Sequence, residues 1–265
     1  MKKMPLHDLH KYDKIQLINA YVNFPVLSGT AFTAELSAEL PDRQNEPYEE
    51  EPYMEYRIIP KETYARIKHF EYFKNMAQPY AGVTVHVDIT EFYHRIKSEN
   101  YPFFLSFLYC VSNAANEIPE LRQRINDGNI IEYARCRTSH TVALENGTYC
   151  YCMLDSSMDF EDYLPYAVST QEQAKKRQSL EDGADSLSLI FISSLPWLTY
   201  EALIQPVPNP ADSNPRITWG RYTEQNGRVT LPVSILCHHA LADGLHLSRF
   251  YQTLESKLEN FPFIH

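Results

Sequence analysis

The 265-residue chain is 44% hydrophobic and 22% charged, which supplies enough apolar material for one large core and indicates a globular protein. Its 34 acidic and 24 basic residues give a formal charge of -10, which argues against binding to nucleic acid or to anionic membranes. No apolar run approaches the length of a membrane span, and the charged N-terminus is unlike a signal peptide. The five cysteines lack metal-ligand spacing, so we expect reduced thiols in a cytoplasmic protein.

The first 55 residues differ in composition from the rest of the chain. Residues 39–53 hold three prolines and six acidic groups with few apolar side chains, which is typical of a solvated linker. Residues 15–27 form a modest apolar stretch, for which packing on the main domain and disorder both remain open. We therefore predict an N-terminal extension over residues 1–55 and one domain over residues 56–265.

Beyond residue 55 the sequence mixes helical and strand patterns, which predicts an α/β domain. Aromatic residues at helical spacing predict a helix within residues 67–76, and alternation with period two predicts a strand over residues 82–90. A long periodic apolar run predicts a buried helix over residues 103–118.

The C-terminal half reads as a series of strands closed by a helix. Asn-Gly pairs at residues 146–147 and 226–227 predict tight turns between strands. Apolar residues with helical spacing predict a final amphipathic helix that contains Leu247, Phe250, Leu254 and Leu258. The predicted strands lie in residues 129–135, 140–144, 148–154, 187–197, 216–223 and 228–240.

Two adjacent histidines stand where the last strand gives way to the last helix. In a structural interpretation, Asp243 caps the helix, Gly244 turns the chain, and the His238 and His239 rings alternate faces. That alternation disfavours a shared metal ion, because the two rings would point apart. A general base needs only one imidazole, and His239 at the strand's end suits that role. The structural and general-base interpretations both remain open on the residues alone.

The stretch HHALADGLHLSRF, residues 238–250, closely resembles the signature of chloramphenicol acetyltransferases. Five further segments resemble that family in the same order, and the similarity extends over about residues 56–255: RIKHFEYF, VDIT, NEIPELR, FISSLPW and ITWGRY. The resemblance implies a two-layer α/β sandwich in which helices cover a mixed, largely antiparallel sheet. It also implies a homotrimer with sites between subunits.

The resemblance further implies direct acetyl transfer from acetyl-CoA, as a cosubstrate and without a metal, to a hydroxyl of chloramphenicol or a similar molecule. His239 matches the family's catalytic base. Asp243 matches a carboxylate that pairs with an arginine, here Arg66. Two alternatives stay open: an acyltransferase for a different alcohol or thiol, and a noncatalytic relative that binds a ligand.

The resemblance also implies which polar side chains contact the reacting oxygen atoms. Ser193 matches the serine that donates to the oxyanion, with the adjacent Ser194 as an alternative. Thr218 matches a threonine that holds a water near the reacting oxygen.

The resemblance assigns the substrate-binding residues as well. Trp197 and Tyr222 match aromatic residues of the coenzyme channel, and Arg221 stands where the family usually has Lys. We assign Phe73 and Phe103 to the acceptor pocket, with ordinary core packing as an equally open interpretation. The Pro-rich residues 198–215 depart from the family, and we expect them to shape the acceptor pocket.

Overall fold

The computed structural model describes residues 54–183 and 185–262. The predicted N-terminal extension therefore lies outside the described residues except for its last two. The strands are β1 (Tyr56–Ile59), β2 (Tyr80–Asp88), β3 (Gln123–Asn126), β4 (Asn129–Tyr133), β5 (Thr138–Ala143), β6 (Tyr149–Leu154), β7 (Ile190–Leu195), β8 (Arg216–Gly220), β9 (Thr223–Gln225) and β10 (Arg228–His238). The α-helices are α1 (Ile67–Phe73), α2 (Thr90–Ser98), α3 (Phe103–Asn116), α4 (Phe160–Arg177) and α5 (Gly244–Glu259).

The strands form one large and one small sheet. The large sheet has the order β2-β10-β8-β7-β5-β6, with β9 paired to β10. Its pairs are antiparallel except β5 with β7 and β7 with β8, and α4 lies in the connection that makes the first of these parallel. The small sheet has the order β1-β4-β3. The prediction of a mixed, largely antiparallel sheet accompanied by helices is confirmed.

The helices bury one face of the large sheet because its strands alternate in polarity. Along β10, Val233 and Ile235 are buried in the main apolar core together with residues of α3, α4 and α5. The single hydroxyl proton of Tyr251 in α5 is shared between the carbonyl oxygens of Val233 at 2.7 Å and Val83 at 3.0 Å, which ties that helix to two strands. Ser234 alternates with the core residues and therefore lies on the opposite face.

Several local predictions are confirmed in detail. Asn226 and Gly227 have φ angles of 54° and 74°, as a two-residue turn between β9 and β10 requires. All five cysteines are unpaired and buried, and Cys150 and Cys152 face the same way as predicted. Among the helices of the described residues, none is long and apolar enough to cross a membrane.

Two helices and two short strands are absent from the sequence-based prediction. The pattern of α4 is interrupted by Pro165, a residue that normally ends a helix. Helix α2 begins at Thr90, inside the segment that alternation assigned to a strand, because the Asp88 carboxylate accepts the Thr90 backbone N–H at 3.0 Å and ends the extended run. The short strands β1 and β3 carry too few residues for periodicity to identify them.

Candidate active site

His239 is the first residue after β10, and its ring orientation is fixed by local contacts. Its ring Nδ1 lies 3.0 Å from the carbonyl oxygen of Ala242, and its backbone N–H donates to Pro79 O at 2.7 Å. Because a carbonyl oxygen only accepts, the neutral ring carries its proton on Nδ1 and presents the Nε2 lone pair. No described residue hydrogen-bonds to Nε2. The ring is partly exposed and packs on Phe73, with the ring centroids 4.1 Å apart.

His238 occupies a different environment from its neighbour. It is only 3% exposed, its ring packs against Tyr80, and its Nδ1 accepts the backbone N–H of Ala240 at 3.3 Å. Burial lowers the pKa of His238 to about 4, so this ring is uncharged at neutral pH. The prediction that the two rings face different ways is confirmed, with His238 in a structural position and His239 accessible.

Asp243 caps α5 and also pairs with Arg66. Its carboxylate accepts the backbone N–H of Leu245 at 3.0 Å, which confirms the predicted N-cap. Its other oxygen accepts from Arg66 Nη1, at the start of α1. Burial raises the pKa of Asp243, but the hydrogen bond and charge of Arg66 lower it more, so it lies below the usual 3.8. The ion pair therefore fixes α1, which carries Phe73, against the His239 turn.

Ser193 and Thr218 lie side by side on the sheet face opposite the main core. They are partners in the parallel ladder of β7 and β8, and Thr218 in turn pairs with Ser234 of β10. Ser194 instead pairs with the buried Trp219 and shares its face. The register therefore groups Ser193, rather than Ser194, with Thr218.

A cleft of about 1420 Å³ opens over this sheet face. Ser193, Thr218 and Trp197 line it, as does Gln205 from the segment between β7 and β8. Thr218 is only 2% exposed, and its hydroxyl donates to Gln205 Oε1 at 3.2 Å. Because Leu203, Ile204 and Pro206 also line the cleft, the segment that departs from the family does form part of its wall.

The remaining predicted residues lie apart from this cleft. Phe103 stacks on Phe107 at the start of α3, with centroids 5.7 Å apart, and also packs on Tyr222 at 5.7 Å. Arg221 is exposed, and neither it nor Tyr222 lines the cleft. Phe103 therefore joins an aromatic cluster beside the core and does not meet Phe73.

His239 lies apart from the Ser193 and Thr218 hydroxyl groups within one chain. Ser234 of β10 pairs with Thr218, which in turn pairs with Ser193, and His239 lies five residues after Ser234 along the chain. At a rise of ~3.3 Å per residue, five residues of strand span about 16 Å. One chain thus carries two separate groups, one at the β10 turn and one on the open sheet face.

The sequence profile of the family described as chloramphenicol acetyltransferase matches residues 54–255. The chain belongs to the chloramphenicol acetyltransferase family. It is therefore an acyltransferase, and its relatives support acetyltransferase activity. Chloramphenicol acetyltransferase 3 of Escherichia coli is 28% identical over 205 residues, which are 76% of this chain and 96% of that protein.

Solved structures agree with this family. A chloramphenicol acetyltransferase of 28% sequence identity superposes with a TM-score of 0.70, over 77% of this chain and 100% of that one. A probable dihydrolipoamide acetyltransferase from Listeria monocytogenes has a TM-score of 0.55 at 18% identity, over 76% of this chain and 93% of that one. The second likeness is a likeness of fold alone.

The sequence-based prediction did not include Gln205, which lines the cleft beside Thr218. The residue lies between Ile204 and Pro206 in an irregular segment, where no periodicity indicates which side chains face the sheet. The only available signal was the departure of residues 198–215 from the family pattern.

We expect the Arg66→Met substitution to lower the free energy of unfolding by about 2 kcal/mol, because Asp243 loses a charged hydrogen-bond partner in a partly buried position. The matched control is Arg228→Met, which breaks the exposed pair with Asp88 and should cost about 0.5 kcal/mol or less. Urea unfolding at one fixed protein concentration measures both values.

The stabilisation should also depend on pH. A carboxylate with a lowered pKa contributes fully above the ordinary value of 3.8 and loses its contribution as the pH falls through the lower folded value. The difference between wild type and Arg66→Met should therefore shrink as the pH falls below 3.8 and disappear below the folded-state pKa of Asp243. Equal losses in the Arg66 and Arg228 variants would contradict a special role for the pair.

Proposed function

We propose that the protein is an acetyl-CoA-dependent O-acetyltransferase that acts on a hydroxyl of chloramphenicol or a similar small molecule, with His239 as general base. The observation that carries this proposal is the contact between His239 Nδ1 and Ala242 O at 3.0 Å, which leaves Nε2 free on a partly exposed ring. Relatives named chloramphenicol acetyltransferase support the acceptor class. Acetylation would block a hydroxyl that the antibiotic needs and so confer resistance.

In the proposed reaction the acceptor oxygen attacks the thioester carbonyl carbon while its proton passes to Nε2 of His239. A C–O bond forms, and the π electrons of the carbonyl move to its oxygen, which becomes an oxyanion. The oxyanion then re-forms the carbonyl and breaks the C–S bond, and the departing thiolate takes the proton from His239. A positioned base of this kind contributes about 10² to 10⁴ in rate.

Ser193 is the proposed donor to the oxyanion. Both Ser193 and Ser194 line the cleft, but Ser193 pairs with Thr218 on the open sheet face whereas Ser194 pairs with the buried Trp219, which supports Ser193 for this role. A preorganised donor in such a site contributes about 10² to 10³ in turnover. Asp243 and Arg66 touch no substrate in this mechanism and act as positioning residues for the turn.

Acetyl-CoA is the proposed acetyl donor and binds as a substrate. Trp197 lies on the cleft wall with Ser193, which supports its place beside the coenzyme. Arg221 is exposed and supplies a cation for the coenzyme phosphates. The next residue, Tyr222, packs beside Phe103. Phe73, which packs against the His239 ring, is the better supported of the two acceptor-pocket aromatics.

We further propose a homotrimer whose sites lie between subunits. About 16 Å of β10 separates His239 from Ser234, the strand partner of Thr218. This separation supports sites between subunits, since one chain alone does not bring His239 to Ser193. In the proposed assembly His239 and Phe73 of one chain face Ser193 and Thr218 of a neighbour.

His239→Ala should lower turnover by about 10² to 10⁴ because the proton acceptor is removed. The assay follows release of CoA thiol from acetyl-CoA in the presence of chloramphenicol. His94→Ala, which removes an exposed histidine from α2, is the matched control and should keep the wild-type rate. Near-normal turnover in His239→Ala would reject the mechanism, whereas wild-type activity on another alcohol only would change the acceptor and keep the base.

A mixture of His239→Ala and Ser193→Ala chains tests where the site lies. If each site takes its base and its hydroxyl from different chains, mixed trimers that carry both variants should regain about a third of the wild-type sites, because one of their three interfaces joins an intact His239 to an intact Ser193. The two variants are co-expressed with different tags, and oligomers that carry both tags are isolated and assayed. No recovery in such verified mixed oligomers would place the complete site within one chain.

A further inference from the structure

The Thr218 hydroxyl has a protein partner at the position where the family resemblance predicts a bound water. It is 2% exposed and donates to Gln205 Oε1 at 3.2 Å. The Thr218 hydroxyl proton is therefore directed to Gln205, whose carboxamide lines the cleft beside it.

Gln205 belongs to a segment that is anchored to the sheet on both sides. Before it, the Tyr200 hydroxyl donates to Thr218 O at 2.9 Å and accepts from Ser234 Oγ at 3.3 Å. After it, Arg216 donates to both carboxylate oxygens of Asp212, at 2.8 and 2.6 Å. These contacts hold both ends of the segment, and the hydrogen bond from Thr218 positions the Gln205 carboxamide within it, as a preorganised donor requires.

The packing of this segment on β8 is also close. A Cβ atom added to Gly220 would lie 2.6 Å from Leu198 O and 2.8 Å from Tyr200 Cε1, nearer than such atoms approach in folded proteins. The segment thus lies directly on the strand that carries Thr218, and it reaches that position because Gly220 has no side chain.

The free end of the carboxamide is a hydrogen-bond donor. Thr218 occupies Oε1, and no described residue accepts from Nε2, so its two N–H groups remain for a ligand. Ser193 is the strand neighbour of Thr218, at the ordinary spacing of ~4.8 Å between strands. The Ser193 hydroxyl and the Gln205 amide therefore both border the same part of the cleft.

We propose that Gln205 is a further catalytic residue, which donates from Nε2 to the oxyanion as a second donor beside Ser193. Thr218 is then a positioning residue that holds Oε1 and so aims Nε2. This inference rests on the proposed acyl transfer. The role needs an N–H donor at position 205, which an aliphatic side chain does not have.

The first test replaces the amide. Gln205→Leu removes both polar atoms, and Gln205→Glu keeps an acceptor for Thr218 but has no N–H donor. Each variant should lower kcat by about 10² to 10³, since one oxyanion donor is lost. KM for the acceptor should change by no more than about threefold, because the interaction exists only in the transition state. The matched control Gln252→Leu, at an exposed glutamine of α5, should keep the wild-type kcat.

A double-mutant cycle with Thr218 separates positioning from direct action. Thr218→Val should lower kcat by about tenfold in the wild type but by less than about twofold in the Gln205→Leu background, because its effect passes through Gln205. Thr218→Ser keeps the hydroxyl and should restore kcat. If Thr218 instead acts through a water of its own, Thr218→Val will cost the same factor in both backgrounds, and the proposal fails.

The outcomes distinguish this inference from the proposed function. A wild-type protein that releases no CoA with any alcohol overturns both. An active wild type whose Gln205→Leu variant keeps kcat within about twofold, or loses efficiency only through KM, overturns the role of Gln205 alone. Circular dichroism and thermal unfolding verify the fold of each variant, and Gln205→Glu decides the matter if Gln205→Leu does not fold.

Discussion

The hydrogen bond between His239 Nδ1 and the Ala242 carbonyl oxygen determines what the site can do. It places the proton of the neutral ring on one nitrogen and leaves the lone pair of the other available, as the proposed base requires. The turn that supplies this carbonyl is held by Asp243, which caps α5 and binds Arg66 of α1. Since α1 also carries Phe73 to the ring, one carboxylate holds together His239, its supporting carbonyl and its aromatic neighbour.

The geometry of β10 divides the rest of the site. The strand carries Ser234 in the row of Ser193 and Thr218, and its end carries His239, so the two halves are held a fixed distance apart by extended backbone. No side-chain motion closes such a gap. In the proposed assembly a second copy of the chain supplies the missing half. On the open face Gln205 adds an amide to the two hydroxyl groups and binds one of them.

The sequence predicted those features that local backbone physics controls. The β9–β10 turn follows from the left-handed φ angles that Asn226 and Gly227 tolerate, and the alternation along β10 follows from one buried face. It missed α4 because Pro165 interrupts the pattern, and it missed Gln205 because irregular segments have no period. The Arg66–Asp243 pair joins residues 177 positions apart and came only from the family resemblance. The separation of Ser193 from His239 depends on the pairing of strands that are distant in sequence, and no local sequence pattern reveals which strands pair.

The tautomer of the neutral His239 ring decides whether Nε2 can accept a proton from a substrate. Selective ¹⁵N labelling of histidine, with two-bond ¹H–¹⁵N correlation spectra assigned by loss of the His239 signals in His239→Ala, reports which ring nitrogen carries the proton. The account predicts that, in the neutral ring, Nδ1 is protonated and Nε2 has the chemical shift of an unprotonated nitrogen. A neutral His239 with its proton on Nε2 would contradict it, because no basic nitrogen would then face the substrates.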